Sequence, residues 1–161
     1  MAESRRKMLA VLSNPATTSG NRTRARVELA REILEYESYA IVNMFSGATY
    51  RTGEIAQIGQ SPAHWLQARD AIKEGLAEAD CVLLAYGISE PTGPARAHHR
   101  SQVEWLHHEL STRSLPVCTL SGQPRHPSRW HRYTHANFPG LDLKSALRAS
   151  FEFRVPADMY L

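Results

Sequence analysis

The chain has 161 residues, 42% hydrophobic and 22% charged, the size of one domain that can bury a single core without disulfides or metal. This composition excludes both a disordered chain and one that lives in lipid, and the longest apolar runs, Met8–Leu12 and Cys81–Tyr86, fall far short of the roughly 20 residues of a membrane span. The net charge of +3, with arginine far outnumbering lysine, suits bidentate contact with phosphate, although a charge of that size also serves solubility. The basic N-terminus lacks the apolar stretch and cleavage site of a signal peptide, so a cytoplasmic location is expected. The two cysteines, Cys81 and Cys118, lie inside apolar runs and are too few for a four-thiolate site, so they read as core packing.

Lys7 to Ser13 predicts a strand, ended by Asn14-Pro15 because proline cannot donate to a ladder. From Asn21 to Glu37, Ala25, Leu29, Ile33 and Leu34 recur near helical spacing among Arg and Glu. Tyr39 to Phe45 predicts a second strand, with Asn43 near its end. Ser61-Pro62 has the form of a helix start, and Trp65, Ala68, Ile72 and Leu76 carry that helix to about Ala79. Cys81 to Tyr86 is an almost wholly apolar strand closed by Gly87, a pattern of burial on both faces. Ile88 to Ala97 predicts a loop, Ser101 to Leu110 a helix and Leu115 to Leu120 a fourth strand. Ser121 to Ser128 is dense in turn formers and polar groups.

Strands alternating with helices at this spacing predict a three-layer α/β/α sandwich around a four-stranded, mostly parallel sheet. The whole of 1–161 forms one domain in this reading, with a core of about 7–135 and a tail, 136–161, that packs on it. Within the tail, the brief alternation from Phe151 to Pro156 fits an edge strand or a segment docked on the core. Ligands of such sheets bind outside the carboxyl ends of the strands. That rule gathers Ser13-Asn14-Pro15-Ala16-Thr17, Asn43 and the segment Gly122 to Trp130 at one rim. Each alone reads as a turn former or surface loop. Two amides and an imidazole at one rim exceed what folding alone requires.

The opening Asn14-Pro15-Ala16-Thr17, the Tyr86-Gly87 strand end and Gly122-Gln123-Pro124-Arg125-His126-Pro127 resemble a bacterial and phage family known as domain of unknown function 1643, over residues 8 to 130. The order of parts also resembles the uracil-DNA glycosylase superfamily. That superfamily has an acidic or amide residue plus proline after the first strand, an asparagine ending the second, a glycine ending the third and a His-Pro-Ser loop after the fourth. Asn14-Pro15, Asn43 and His126-Pro127-Ser128 match those motifs. The four cysteines of the iron-sulfur branch are missing.

The second resemblance implies a glycosylase-like fold and hydrolysis of an N-glycosidic bond in DNA, with no cofactor and no metal. His126 would donate a hydrogen bond to the base oxygen that gains charge, and Asn14 would hold the attacking water. Asn43 would read the Watson-Crick edge, with Pro15, Ala16 and Phe45 completing base recognition. Ala16 stands where the strict uracil enzymes carry a tyrosine that blocks substituents at carbon five. The expected substrates are therefore 5-substituted pyrimidines, such as the hydroxymethyl- or glucosyl-hydroxymethylcytosine of phage DNA, or uracil, and the product is an abasic site.

Arg125, Arg129, Trp130, His131, Arg132 and Tyr133 interleave cations with aromatics. For a base-flipping enzyme this predicts phosphate contacts by Thr17, Gly122, Arg125, Ser128, Arg129 and Arg132, with Trp130 either the wedge that fills the hole in the duplex or a core aromatic. Arg22, Arg24 and Arg26 extend the phosphate track or form a solvated helix face. The adjacent pairs His98-His99 and His107-His108 point about 100 degrees apart on a helix and do not share an ion easily, and His126, His131 and His135 lack a carboxylate or cysteine partner nearby. No nucleophile elbow or phosphate loop of the Gly-x-x-x-x-Gly-Lys kind is present. DNA is the expected partner, with no membrane, and the chain is expected to act as a monomer. Two alternatives carry different chemistry: a non-catalytic nucleotide-binding or sensing module in phage–host conflict, and an enzyme hydrolysing free nucleosides or nucleotides.

Overall fold

The structure, a computed structural model, describes residues 6–15, 20–48 and 54–154. Five strands form one sheet in the order β2-β1-β3-β4-β5: β1 (Lys7–Leu12), β2 (Ser38–Asn43), β3 (Cys81–Leu84), β4 (Val117–Leu120) and β5 (Phe151–Arg154). The first four are parallel, with Met8 opposite both Tyr39 and Cys81 and Val82 opposite Val117. β5 runs antiparallel to β4, Leu120 facing Phe151. The four predicted strands are therefore present, and the tail supplies a fifth at the edge.

The helices are α1 (Asn21–Leu34), α2 (Ile55–Ile58), α3 (Ala63–Glu78), α4 (Pro94–Arg113), α5 (Trp130–Asn137) and α6 (Leu143–Ser150). Successive side chains of a strand face opposite ways, and β1 shows the consequence. Met8, Ala10 and Leu12 pack with Val27, Ala30 and Leu34 of α1 and with Trp130 and Leu147, while Leu9 and Val11 pack with Ala68, Ile72 and Leu76 of α3 and Leu106 and Leu110 of α4. The sheet is thus covered on both faces, a three-layer α/β/α sandwich. Cys81 and Cys118 are both buried in the first of these cores, as their apolar context predicts. Gly75 lets α3 lie close on the sheet, since a Cβ there would stand 2.8 Å from a Leu9 methyl.

One boundary and three elements differ from expectation. α4 begins at Pro94, well before Ser101, because Gly93 at φ +64 turns the chain and proline at the first helical position loses no hydrogen bond. The tail contains α6, capped by Asp142, whose carboxylate accepts from Ser145 N–H at 3.2 Å, and α6 packs on α1 and α5. Neither the short helix α2 nor α5 has a counterpart among the predicted elements. No helix among the described residues is long and apolar enough to cross a membrane.

Candidate functional site

Because β1 to β4 are parallel, their carboxyl ends lie along one rim, and the loops leaving β1, β3 and β4 meet there. After β4 the chain reverses through Ser121 and Gly122, at φ +52 and +80, and Leu120 and Gln123 exchange two backbone hydrogen bonds of 3.2 Å. Left-handed conformations at both turn positions produce the tight reversal. Gly87, at φ +94 after β3, donates its N–H to Pro124 O at 2.6 Å and fastens the two loops together. Trp130 Nε1 donates to Arg125 O at 2.9 Å from inside the core.

His126 follows, at the cap of a 3-10 turn over Pro127–Arg129. Its Nδ1 accepts the Ser128 N–H at 3.2 Å and lies 2.9 Å from Ser128 Oγ. A nitrogen that accepts a backbone N–H carries no proton, so the neutral ring holds its proton on Nε2 and is a donor there. Burial, and secondarily the charge of Arg129, push the His126 pKa below the ordinary histidine value, which favours this neutral form. The ring lines a cavity of about 540 Å3 together with Tyr86, Arg125, Ser128, Arg129, Arg132 and Tyr133, a size within the range of small-molecule sites. The Arg125 guanidinium stacks 4.1 Å over the Tyr133 ring, and its buried Nε has no hydrogen-bond partner among the described residues. Tyr86 is buried, which pushes its hydroxyl pKa up to about 12 and keeps it neutral.

On the β1–β2 side of the same rim, Leu12 faces Asn43, and the pairing continues past the strands through Met44 N–H to Leu12 O at 2.9 Å and Phe45 N–H to Ser13 O at 3.0 Å. Asn14 and Asn43 therefore stand at neighbouring strand ends, both half-buried. The Asn14 amide nitrogen faces the carbonyls of Pro15 and Gly47 at 3.4 and 3.5 Å. Two acceptors fix which end of the amide faces them, so the oxygen is the end turned away.

The predicted site residues divide accordingly. His126, Arg125, Ser128, Arg129 and Arg132 line one cavity. Asn14, Pro15 and Asn43 occupy the adjoining strand ends, while Ala16 and Thr17 lie outside the described residues. Two expectations are corrected. Trp130 is fully buried, with its indole 5.6 Å edge-on from the Phe151 ring, so the core reading holds and no wedge stands at this position. Phe45 is also fully buried, 4.7 Å from the Trp65 ring and 5.1 Å from His64, and presents no face on which a base can stack. Gly122, half-buried, forms the turn after β4 beside Glu152 and Arg154 of β5.

Tyr86 and Tyr133 of the cavity wall carried no expected role. Tyr86 ends the apolar strand before Gly87, a position the rim rule marks. Tyr133 is signalled only by its helical spacing from Arg129 and Trp130. Behind the rim, His99 lies edge-on to both Trp65 and Tyr86, and burial lowers its pKa. Glu90 binds Arg100 at 2.9 Å and Arg96 at 3.4 Å, anchoring the loop between β3 and α4, and the Arg100 hydrogen bond holds the Glu90 carboxyl below its ordinary pKa. Among the described residues no three His, Cys, Asp or Glu side chains are grouped to hold a metal ion.

No curated protein and no solved structure matches the chain. The family model described as "Protein of unknown function (DUF1643)" matches residues 1–128, a span that includes both amides of the rim and the His126-Pro127-Ser128 turn. The chain belongs to that family.

Proposed function

We propose that the chain is a monofunctional DNA glycosylase that hydrolyses the N-glycosidic bond of a pyrimidine, either uracil or a 5-substituted cytosine, and leaves an abasic site. The observation that carries this reading is the Ser128 N–H on His126 Nδ1, which assigns the proton of the neutral ring to Nε2 in a residue that lines the cavity. As the C1′–N bond breaks, the base leaves with the bonding pair and its oxygen gains charge. A donor already aimed and already neutral stabilises that charge without reorganisation. Water then adds at the sugar C1′ and its proton passes through solvent to the departed base. Asn14 orients that water through its amide oxygen, and Asn43, with both a donor and an acceptor, reads the base edge. The opening toward 5-substituents rests on Ala16 in the sequence.

A second reading, a nucleotide-binding module without catalysis, draws on the burial of Trp130 and Phe45, which leaves neither a wedge at position 130 nor an aromatic face at position 45. One experiment separates the two. Protein and its Asn14→Ala and His126→Ala variants are incubated with DNA containing uracil, 5-hydroxymethylcytosine or its glucosylated form, and abasic sites are cleaved with alkali. Strand breaks from the native chain that vanish in both variants support the glycosylase and identify its base. Intact strands with every substrate overturn it in favour of the binding module.

A further inference from the structure

A second, smaller cavity, of about 130 Å3, lies where the start of α1 meets the 3-10 turn, walled by Arg22, Thr23, Arg26, Pro127 and Ser128. It holds a handful of waters, at about 30 Å3 each, or one compact anion, and is too small for a nucleoside. Arg26, half-buried, lines it, and its Nη1, shielded from solvent, has no hydrogen-bond partner among the described residues. A guanidinium N–H left unpaired in a protein interior costs free energy unless a ligand accepts from it. The nearest acidic side chains of α1 are committed elsewhere, Glu28 to Arg31 and Glu32 to Lys144. The first turn of α1 contains no acidic residue, and Gly20 gives its N-terminus no side-chain cap, so the backbone there adds to the positive field. Ser128 walls both this cavity and the one at His126.

We propose that the cavity between α1 and the Pro127–Arg129 turn is a phosphate subsite, with Arg26 and Arg22 as its cationic ligands, and that the ligand of the adjoining His126 cavity is therefore a nucleotide unit and not a free base or nucleoside. The proposal deepens the function above and depends on that reading only for the identity of the base. The phosphate is a monoester of a free nucleotide or a diester of a DNA strand, and both present the oxygens that a guanidinium binds.

The test follows the arginine Nε–H resonances of the full chain by NMR and its thermal midpoint. The additions, made separately, are inorganic phosphate, deoxycytidine, deoxycytidine 5′-monophosphate and a thymidylate decamer. The expected result is a saturable shift of Arg26 and a raised midpoint with the phosphate-bearing probes and not with deoxycytidine. Arg26→Gln weakens that binding roughly tenfold or more and lowers the salt slope of decamer binding by about one. The exposed Arg22→Gln variant gives the same direction should Arg26→Gln fold poorly. Tighter binding of the monophosphate identifies a free nucleotide, and tighter binding of the decamer identifies DNA. A response to inorganic phosphate alone means an adventitious ion only and overturns the proposal. No response, or responses unchanged in both variants, does the same. Phosphate-dependent binding without abasic product leaves the subsite standing and removes the glycosylase, whereas abasic product formed equally by the native chain and Arg26→Gln does the reverse.

Discussion

At the β4 side of the rim, His126 receives a backbone hydrogen bond from Ser128, the preceding carbonyl is held by the buried Trp130, and Gly87 ties the same segment to β3. At the β1 side, the Asn14 amide reaches the carbonyls of Pro15 and Gly47 only at 3.4 and 3.5 Å, beyond the usual range for such bonds. The first side fixes a donor in position before any ligand arrives. At the second, these two contacts of the amide nitrogen are long and yield readily to a water or a ligand. A site that must stabilise a charge and also admit a reactant has use for both kinds of loop.

The largest test of this contrast is Trp130→Ala, which removes a fully buried indole and the donor to Arg125 O. A loss of about 3–5 kcal/mol in chemical denaturation is expected, and a loss below about 1 kcal/mol would mean that the 125–130 segment is not anchored by the core. Gly87→Ala comes next. Among the described residues its added Cβ meets only His126 Cβ, at 3.9 Å, so the expected cost is that of the left-handed backbone, about 1–2 kcal/mol. A neutral result would show that the β3 loop relaxes freely and does not hold the His126 segment. On the opposite side, Asn14→Ala should cost less than either, about 1 kcal/mol or below, while abolishing abasic product. A large stability loss there would erase the contrast between the two loops.

The smallest effect is expected in pH dependence. The folded pKa of His126 lies below the ordinary 6.5 of the unfolded chain, so between those values the unfolded state binds the extra proton. Stability is then full above about pH 6.5 and declines as pH falls toward the lower folded value. Histidines 99 and 107, also lowered by burial, act in the same direction. Imidazole nitrogen shifts should report protonated Nε2 at neutral pH and a titration midpoint below 6.5. Ser128→Ala keeps the backbone donor but loses the hydroxyl one, so the tautomer is retained and the midpoint rises. A protonated Nδ1 at neutral pH would remove the basis for His126 as an Nε2 donor.

The alternation of apolar strands and amphipathic helices was enough to predict the layered parallel sheet, because side-chain period encodes which face each element buries. Parallel order in turn carried Asn14, Asn43 and His126 to one rim, since a residue just after a parallel strand has nowhere else to be. Local pattern said nothing of what an aromatic among arginines does. Trp130 is in the core because Phe151, on an edge strand supplied by the tail, closes over it. Phe45 follows a strand directly, yet its ring is enclosed by His64 and Trp65 of α3, a helix whose tilt over the sheet no periodicity specifies. Arg26 likewise shares a cavity with Ser128, from a distant part of the chain. The sequence by itself determined the four parallel strands, the helices that connect them and the rim at which polar residues gather; tertiary structure alone decided which of those residues are buried, which face one another and which cavity they share, because such contacts depend on the packing of elements far apart in the chain.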